Sequence, residues 1–354
     1  MDKKLFIPGP VDVSPDVFKA MSKSMIGHRG REFSILLEEC VLNLKKLMYT
    51  RNNVFISPSS STGLMEAAIR NCVGDRCLNI GNGAFSDRWH DITTANGKEA
   101  DLLQFEWGEA PSPGLIDEKL STGEYDALTL VHNETSTGVT APIYDIAEVV
   151  RDYDVSFLVD AVSSMGGIKL EVDKLGIDVC LFGVQKAMAL PAGLAVCSVS
   201  DRALKKAESL DNRGYYFDFL IYLKYWARRQ TPTTGAISLI QGLRYQLDKI
   251  LNKEGLENRF NRHREMGELT RKWAKKNFSL LPEEKYASNT VSCIKNTAGI
   301  DCSDLGLKLT EKNYVFSTGY GKLKDKTFRI AHMGDRTLSE LQVYLETIDE
   351  ILGG

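Results

Sequence analysis

Short, uninterrupted apolar runs recur along this chain, separated by stretches in which apolar residues return every three or four positions. Residues 53–57, 77–80, 127–131, 155–159, 177–184 and 192–199 are of the first kind. Each is too short for a buried helix. A continuous rather than alternating run suits a strand covered on both faces, as the inner strands of a parallel sheet are. Residues 32–48 and 64–72 are of the second kind, and in 32–48 Phe33, Leu36, Leu37, Cys40, Leu44 and Leu47 share one helical face. Helices are also predicted after Pro142, over 201–209 and over 237–251. Strands alternating with helices predict an α/β fold, a mostly parallel sheet wrapped by helices.

From about residue 256 the pattern changes. Residues 258–278 read as a long charged helix, 291–294 and 327–331 as strands, and Thr337-Leu338-Ser339-Glu340 as a capping box opening a last helix that stops at Gly353-Gly354. A smaller α+β C-terminal domain is therefore expected over 256–354, after a large domain over 19–255 and an N-terminal arm over 1–18. Within the arm, the prolines flanking Gly9 argue against both a helix and a regular ladder from Leu5 to Val13. A length of 354 residues agrees with two domains.

Two of the apolar runs lead into polar residues that a core would not need. Run 155–159 ends in Asp160, and run 177–184 in Gln185-Lys186. In open α/β sheets such strand ends form the rim where ligands bind. Taken singly, Asp160 reads as a turn cap and Lys186 as a solvated amine. Together they suit pyridoxal phosphate chemistry, because a strand-end lysine can form a Schiff base and a nearby acid can hold a cationic ring nitrogen.

The segments VDAVSSMGG and, with Lys186 placed 26 positions after Asp160, GVQKAMALPAG resemble the class V aminotransferases. These are pyridoxal-phosphate-dependent enzymes of fold type I, and the likeness is greatest to the alanine–glyoxylate and serine–pyruvate type. The resemblance runs from the PGP arm to the RIAHMG stretch. It implies pyridoxal 5'-phosphate as cofactor, with Lys186 as Schiff-base lysine and general base and Asp160 at the pyridine nitrogen. Ser60, Ser61 and Thr62 would hold the phosphate. Hydroxyl residues at a helix start also leave backbone N–H groups free for an anion, although a serine-rich N-cap without ligand is common.

The same resemblance makes Phe85 the ring that stacks on the cofactor, against a core phenylalanine or confusion with Trp89 or His90. Thr135 of NETSTG would bond the phenolic oxygen, with Val162 and Gln185 completing the cofactor shell. Thr233 or Thr234 would reach across a homodimer to the neighbouring phosphate. Gly9 would touch the substrate through its backbone, and Arg329 would grip the substrate α-carboxylate. Without a ligand, Arg329 could instead pair with Asp335 or Glu340.

The implied reaction is ping-pong transfer of an amino group from alanine, serine or aspartate to glyoxylate or pyruvate. Gln185, where related lyases and desulfurases commonly have histidine, favours transfer. Cys302 lies in no clear glycine-rich nucleophile loop. A lyase or cysteine desulfurase on the same fold, a 2-aminoethylphosphonate-type aminotransferase and a pyridoxal-binding sensor are the alternatives. Arg29, beside His28, meets either a second acidic group on the donor or only water.

Composition narrows the setting. With 43% hydrophobic and 26% charged residues and a net charge of −3, this is an ordinary globular composition without a nucleic-acid or membrane signature. Seven cysteines without a CxxC pair suggest buried thiols in a reducing compartment rather than disulfides or a metal site. No signal peptide, membrane-length segment or C-terminal retention signal is legible, so a cytoplasmic enzyme is expected.

Overall fold

The computed structural model describes residues 3–353. Met1 and Asp2 of the expected arm, and Gly354 of the expected helix stop, lie outside the described residues. A seven-stranded sheet organises the first two thirds of the chain. Its strands lie in the order Asn53–Ser57, Ala195–Val199, Val179–Gly183, Ser156–Asp160, Ala127–Val131, Arg76–Gly81 and Glu99–Gln104. Ala195–Val199 is antiparallel to both neighbours, and the remaining pairings are parallel.

Both faces of this sheet are covered, which is why its inner strands read as continuous apolar runs. Phe157, Val159, Cys180 and Phe182 point into one core with the helices Arg31–Leu47, Ile143–Val150 and Ile237–Asp248. Leu158, Val179 and Leu181 point into the other, against Leu64, Met65 and Ala68 of the helix Ser61–Cys72. The edge strand Glu99–Gln104 is mostly exposed and carries Glu99, Asp101 and Gln104, so no apolar run announces it.

The helix expected over 64–72 begins earlier, at Ser61. Ser61-Thr62-Gly63 form its first turn, and apolar periodicity starts only with Leu64. The helix expected over 237–251 is α-helical to Asp248 and continues as a π-helical turn, Lys249–Glu254.

A second, antiparallel sheet follows, in the order Ser279–Leu280, Val291–Lys295, Thr327–Ala331 and Ser317–Thr318. The helices Leu256–Asn277 and Leu338–Leu352 pack on it, and the capping box at Thr337 and Glu340 is formed. The N-terminal arm departs from expectation. Lys4–Leu5 makes a short parallel ladder with Tyr314–Val315, and Phe6 still donates to the Val315 carbonyl (3.2 Å) and accepts the Ala331 N–H (3.0 Å), so regular pairing ends just ahead of the prolines. Phe6 stacks on Tyr344 at 3.8 Å between centroids, beneath the guanidinium of Arg336. Anchored there, the arm crosses to the carboxyl edge of the large sheet.

All seven cysteines are buried free thiols. Among the described residues no helix is long and apolar enough to cross a membrane.

Candidate active site

Five strands of the large sheet deliver side chains or helix starts to one cavity of about 370 Å³ at its carboxyl edge. A wider groove, about 710 Å³, opens at the opposite edge, where Asp178 binds Arg202 and Asp173 binds Thr50 and Arg51. Ligands in such sheets bind beyond the strand carboxyl ends, so the smaller cavity is the candidate.

Asp160 ends its strand in register with Val131 on one side and Leu181 on the other. Its carboxylate is 4% exposed and accepts the Val162 N–H at 2.7 Å. Burial pushes its pKa up to about 7; the Val162 hydrogen bond and the Lys186 charge oppose this, and Glu134 adds to it. Asp160 therefore stands ready to be fixed in its ionised form by a cationic partner.

Lys186 follows the strand Val179–Gly183 in a turn closed by the Ala189 N–H on the Lys186 carbonyl, 2.9 Å. Its ammonium donates to the Pro8 carbonyl of the arm. Loss of hydration lowers its pKa to about 8, helped by Arg329 and opposed by Asp160 and Glu134. Arg259, wholly buried, donates to the Gly166 carbonyl at 2.8 Å and to that of Ala187, and so fixes the turn from behind. A charged residue in a helical pattern gave no sign of this role. Gly9 passes over the lysine, and a Cβ there would lie 2.7 Å from Lys186 Cδ.

Ser60, Ser61 and Thr62 line the cavity at the start of the helix Ser61–Cys72. Ser60 does not cap the helix with its side chain, and the Ser61 hydroxyl is buried with no hydrogen-bond partner. Gly183 makes the approach possible, since a Cβ would stand 2.5 Å from both Ser61 Oγ and Gln185 Oε1. Unspent donors at a helix start fit an anion such as a phosphate.

Phe85, on the first turn of the helix Ala84–Ala95, lines the cavity. Trp89 is buried in the core, which separates the two aromatic candidates. Arg88, one helical turn after Phe85, also lines the cavity; its guanidinium lies 4.9 Å from the Phe85 centroid and donates to Thr62 Oγ1 at 3.4 Å. The spacing from Phe85 was the available signal for it. Thr135 lines the opposite side, its hydroxyl bonded to Ser163 Oγ. Val162, Gln185 and Gly9 complete the lining.

Arg329 stands beside Thr135, 7% exposed. It pairs with neither Asp335 nor Glu340. Asp335 is bound by Gln246, Lys249 and Arg259, and Glu340 by Arg336 and Lys4. Arg329 donates instead to the carbonyls of Thr135 (3.2 Å) and Thr318 (3.3 Å) and to Ser317 Oγ (3.1 Å). Its guanidinium lies 5.4 Å from the Tyr320 centroid, and the Tyr320 ring in turn lies 5.5 Å from that of Phe85. A buried guanidinium with no carboxylate partner among the described residues has the fork geometry that suits one.

Thr233 and Thr234 do not reach this cavity within one chain; Thr234 lines an apolar groove with Met25 and His28. Arg29 is not at the cavity either. It donates to the carbonyls of Thr231 (2.6 Å) and Pro232 (3.2 Å) and to Gln230 Oε1 (3.3 Å), and lies 5.1 Å from the Tyr225 centroid. Within one chain Arg29 shapes the threonine segment.

A strand-end lysine and a buried acid lining one cavity at the carboxyl edge of the large sheet, with a buried arginine of the small sheet bonded to the cavity's Thr135, form a site suited to amino or keto acids. The sequence matches the family Aminotransferase class-V over residues 17–322, and the chain belongs to this family. It is 42% identical over 341 residues to an uncharacterized aminotransferase of Methanocaldococcus jannaschii, covering 94% of this chain and 88% of that one. A serine–glyoxylate aminotransferase of Arabidopsis thaliana is 33% identical over 353 residues, covering 96% and 87%. The crystal structure of an alanine–glyoxylate aminotransferase from Nostoc sp. superposes with a TM-score of 0.95 at 29% identity, covering 99% and 96%. The fold is fold type I of the pyridoxal-phosphate-dependent enzymes.

Proposed function

We propose that this chain is a pyridoxal-phosphate-dependent aminotransferase. In this reading it moves the amino group of a small amino acid, with serine, alanine and aspartate as candidate donors, to glyoxylate or pyruvate. The observation that carries the reading is that Lys186 and Asp160 line one cavity while Arg329, without a carboxylate partner among the described residues, is bonded to the carbonyl of its lining residue Thr135. The serine–glyoxylate and alanine–glyoxylate relatives support the substrate class.

Ser60, Ser61 and Thr62 would hold the cofactor phosphate at the helix start, and Phe85 would face the ring. Thr135 would bond the phenolic oxygen, with Val162 and Gln185 at the flank. When bound at Lys186, pyridoxal phosphate supplies an electron sink for charge developing at the substrate Cα. Asp160 would pair with the protonated ring nitrogen, a cation that would favour its ionised form against the effect of burial. Arg329 binds the substrate carboxylate through its planar fork and so turns the Cα–H bond toward Lys186. Lys186, freed when the substrate's amino group takes its place, would take that proton as general base. The Gly9 backbone lies over the substrate side.

The reading includes a homodimer in which Thr233 or Thr234, shaped by Arg29, reaches the neighbouring chain's phosphate. It divides the chain into an arm (1–18), a large domain (19–255) and a small domain (256–354). Buried free thiols suit a cytoplasmic setting. The desulfurase alternative loses support, because Cys302 is buried at a helix start with its thiol pKa raised, which does not suit a nucleophile.

The deciding assay supplies serine or alanine with and without glyoxylate. Keto acid and glycine formed together over many turnovers are expected with glyoxylate, and no more than about one keto acid per active site without it. Pyruvate from serine alone, or sulfide from cysteine, would replace the aminotransferase by a lyase or desulfurase.

A further inference from the structure

The loop carrying Thr135 and the helix carrying Phe85 follow different strands, and one side chain joins them. Glu134 is fully buried and has no ion-pair partner among the described residues. Its Oε2 accepts the N–H groups of Phe85 (3.2 Å) and Ser86 (2.9 Å). Its Oε1 accepts the N–H (3.0 Å) and the hydroxyl (2.6 Å) of Ser136, and Ser136 Oγ accepts the Ala84 N–H at 3.0 Å. Gly83 is what lets the two segments approach, because a Cβ there would lie 2.4 Å from Glu134 Cγ and 2.6 Å from Ser136 Oγ.

A carboxylate buried without a bonded cation is costly, and here hydrogen-bond donors at a helix start and in the adjoining loop offset the cost, with the charges of Lys186 and Arg329 acting from farther away. Every partner of Glu134 donates. A neutral amide of the same shape must turn its NH₂ toward donors at one end, whichever way it rotates.

We propose that Glu134 is a positioning residue for the reaction, locking the Phe85 ring and the Thr135 hydroxyl into one rigid jaw of the cofactor site. This rests on the function proposed above, in which those two groups hold the face and the phenolic oxygen of the cofactor. Arg329 binds the Thr135 carbonyl rather than Glu134, so the substrate-carboxylate clamp is a separate device.

The test is the full-length Glu134→Gln variant, stripped of cofactor and titrated with pyridoxal phosphate. Affinity, visible circular dichroism per bound cofactor and donor KM at saturating cofactor are compared with the wild type. The expected result is an affinity lower by about tenfold or more, as for a lost buried hydrogen bond to a charge, with a weaker dichroic band. Donor KM should stay within about twofold. Unchanged affinity and an unchanged band would overturn the inference. If Glu134→Gln does not fold, Ser136→Ala removes only the hydroxyl between Glu134 and Ala84 and is held to the same two readouts. A wild-type protein that binds no pyridoxal phosphate would overturn the function reading itself, and this inference with it.

Discussion

Lys186 donates its ammonium to the carbonyl of Pro8, 178 residues earlier in the chain, while the Gly9 backbone lies against its side chain. The arm that makes this contact is anchored in the small core by Phe6, so Lys186 is held from outside its own sheet.

Gly9 has φ +125° and no room for a Cβ beside Lys186. Gly9→Ala should destabilise the protein by about 1–3 kcal/mol through backbone strain and slow the reaction of Lys186 with pyridoxal phosphate. Thermal unfolding and the rate of cofactor capture check both effects. A variant unchanged in both would show that the arm does not constrain the lysine.

Lys186 should capture the cofactor in its neutral form. With a pKa lowered to about 8, the capture rate should rise with pH, reach half its maximum near 8 and level off above. Arg329 lowers this pKa, whereas Asp160 and Glu134 raise it, so Arg329→Met should move the midpoint upward. Stopped-flow mixing of cofactor-free protein with pyridoxal phosphate reads the midpoint. A value near the ordinary 10.5 would contradict the burial argument.

Asp160→Asn keeps size and the acceptor for Val162 but cannot stabilise a cationic ring nitrogen by charge. Turnover should fall on the order of a hundredfold, with the folded state retained because a costly buried carboxylate is removed. Steady-state kinetics beside thermal unfolding separate the two effects, and near-normal turnover would remove Asp160 from the mechanism.

Arg329→Lys keeps the charge and loses the planar fork. kcat/KM for the donor should fall by about tenfold to a hundredfold, carried mainly by KM, since a charged hydrogen bond contributes about 1.5–3 kcal/mol. An unchanged donor KM would place the substrate carboxylate elsewhere.

The inner strands were legible because burial on both faces leaves an unbroken apolar signature, as in Ser156–Asp160 and Val179–Gly183. Two polar interruptions, Asp160 and Lys186, then marked the rim. What stayed hidden depends on contacts between distant segments. Glu134 reads as a turn acid until its donors on another helix are seen. Arg29 invites an anion in sequence, yet meets the carbonyls of Thr231 and Pro232. The edge strand Glu99–Gln104 lacks the apolar run that burial imposes, and the first turn at Ser61-Thr62-Gly63 lacks the periodic residues that announce a helix.

The central claim, that Lys186 and its neighbours carry out amino transfer, is tested most directly by the visible absorption of protein loaded with pyridoxal phosphate. L-serine, L-alanine and L-aspartate are added one at a time, then glyoxylate. The account predicts that at least one donor bleaches the band, releases its keto acid stoichiometrically and leaves pyridoxamine phosphate, and that glyoxylate restores the band. A band that no amino donor bleaches, although Lys186 carries the cofactor, would contradict it.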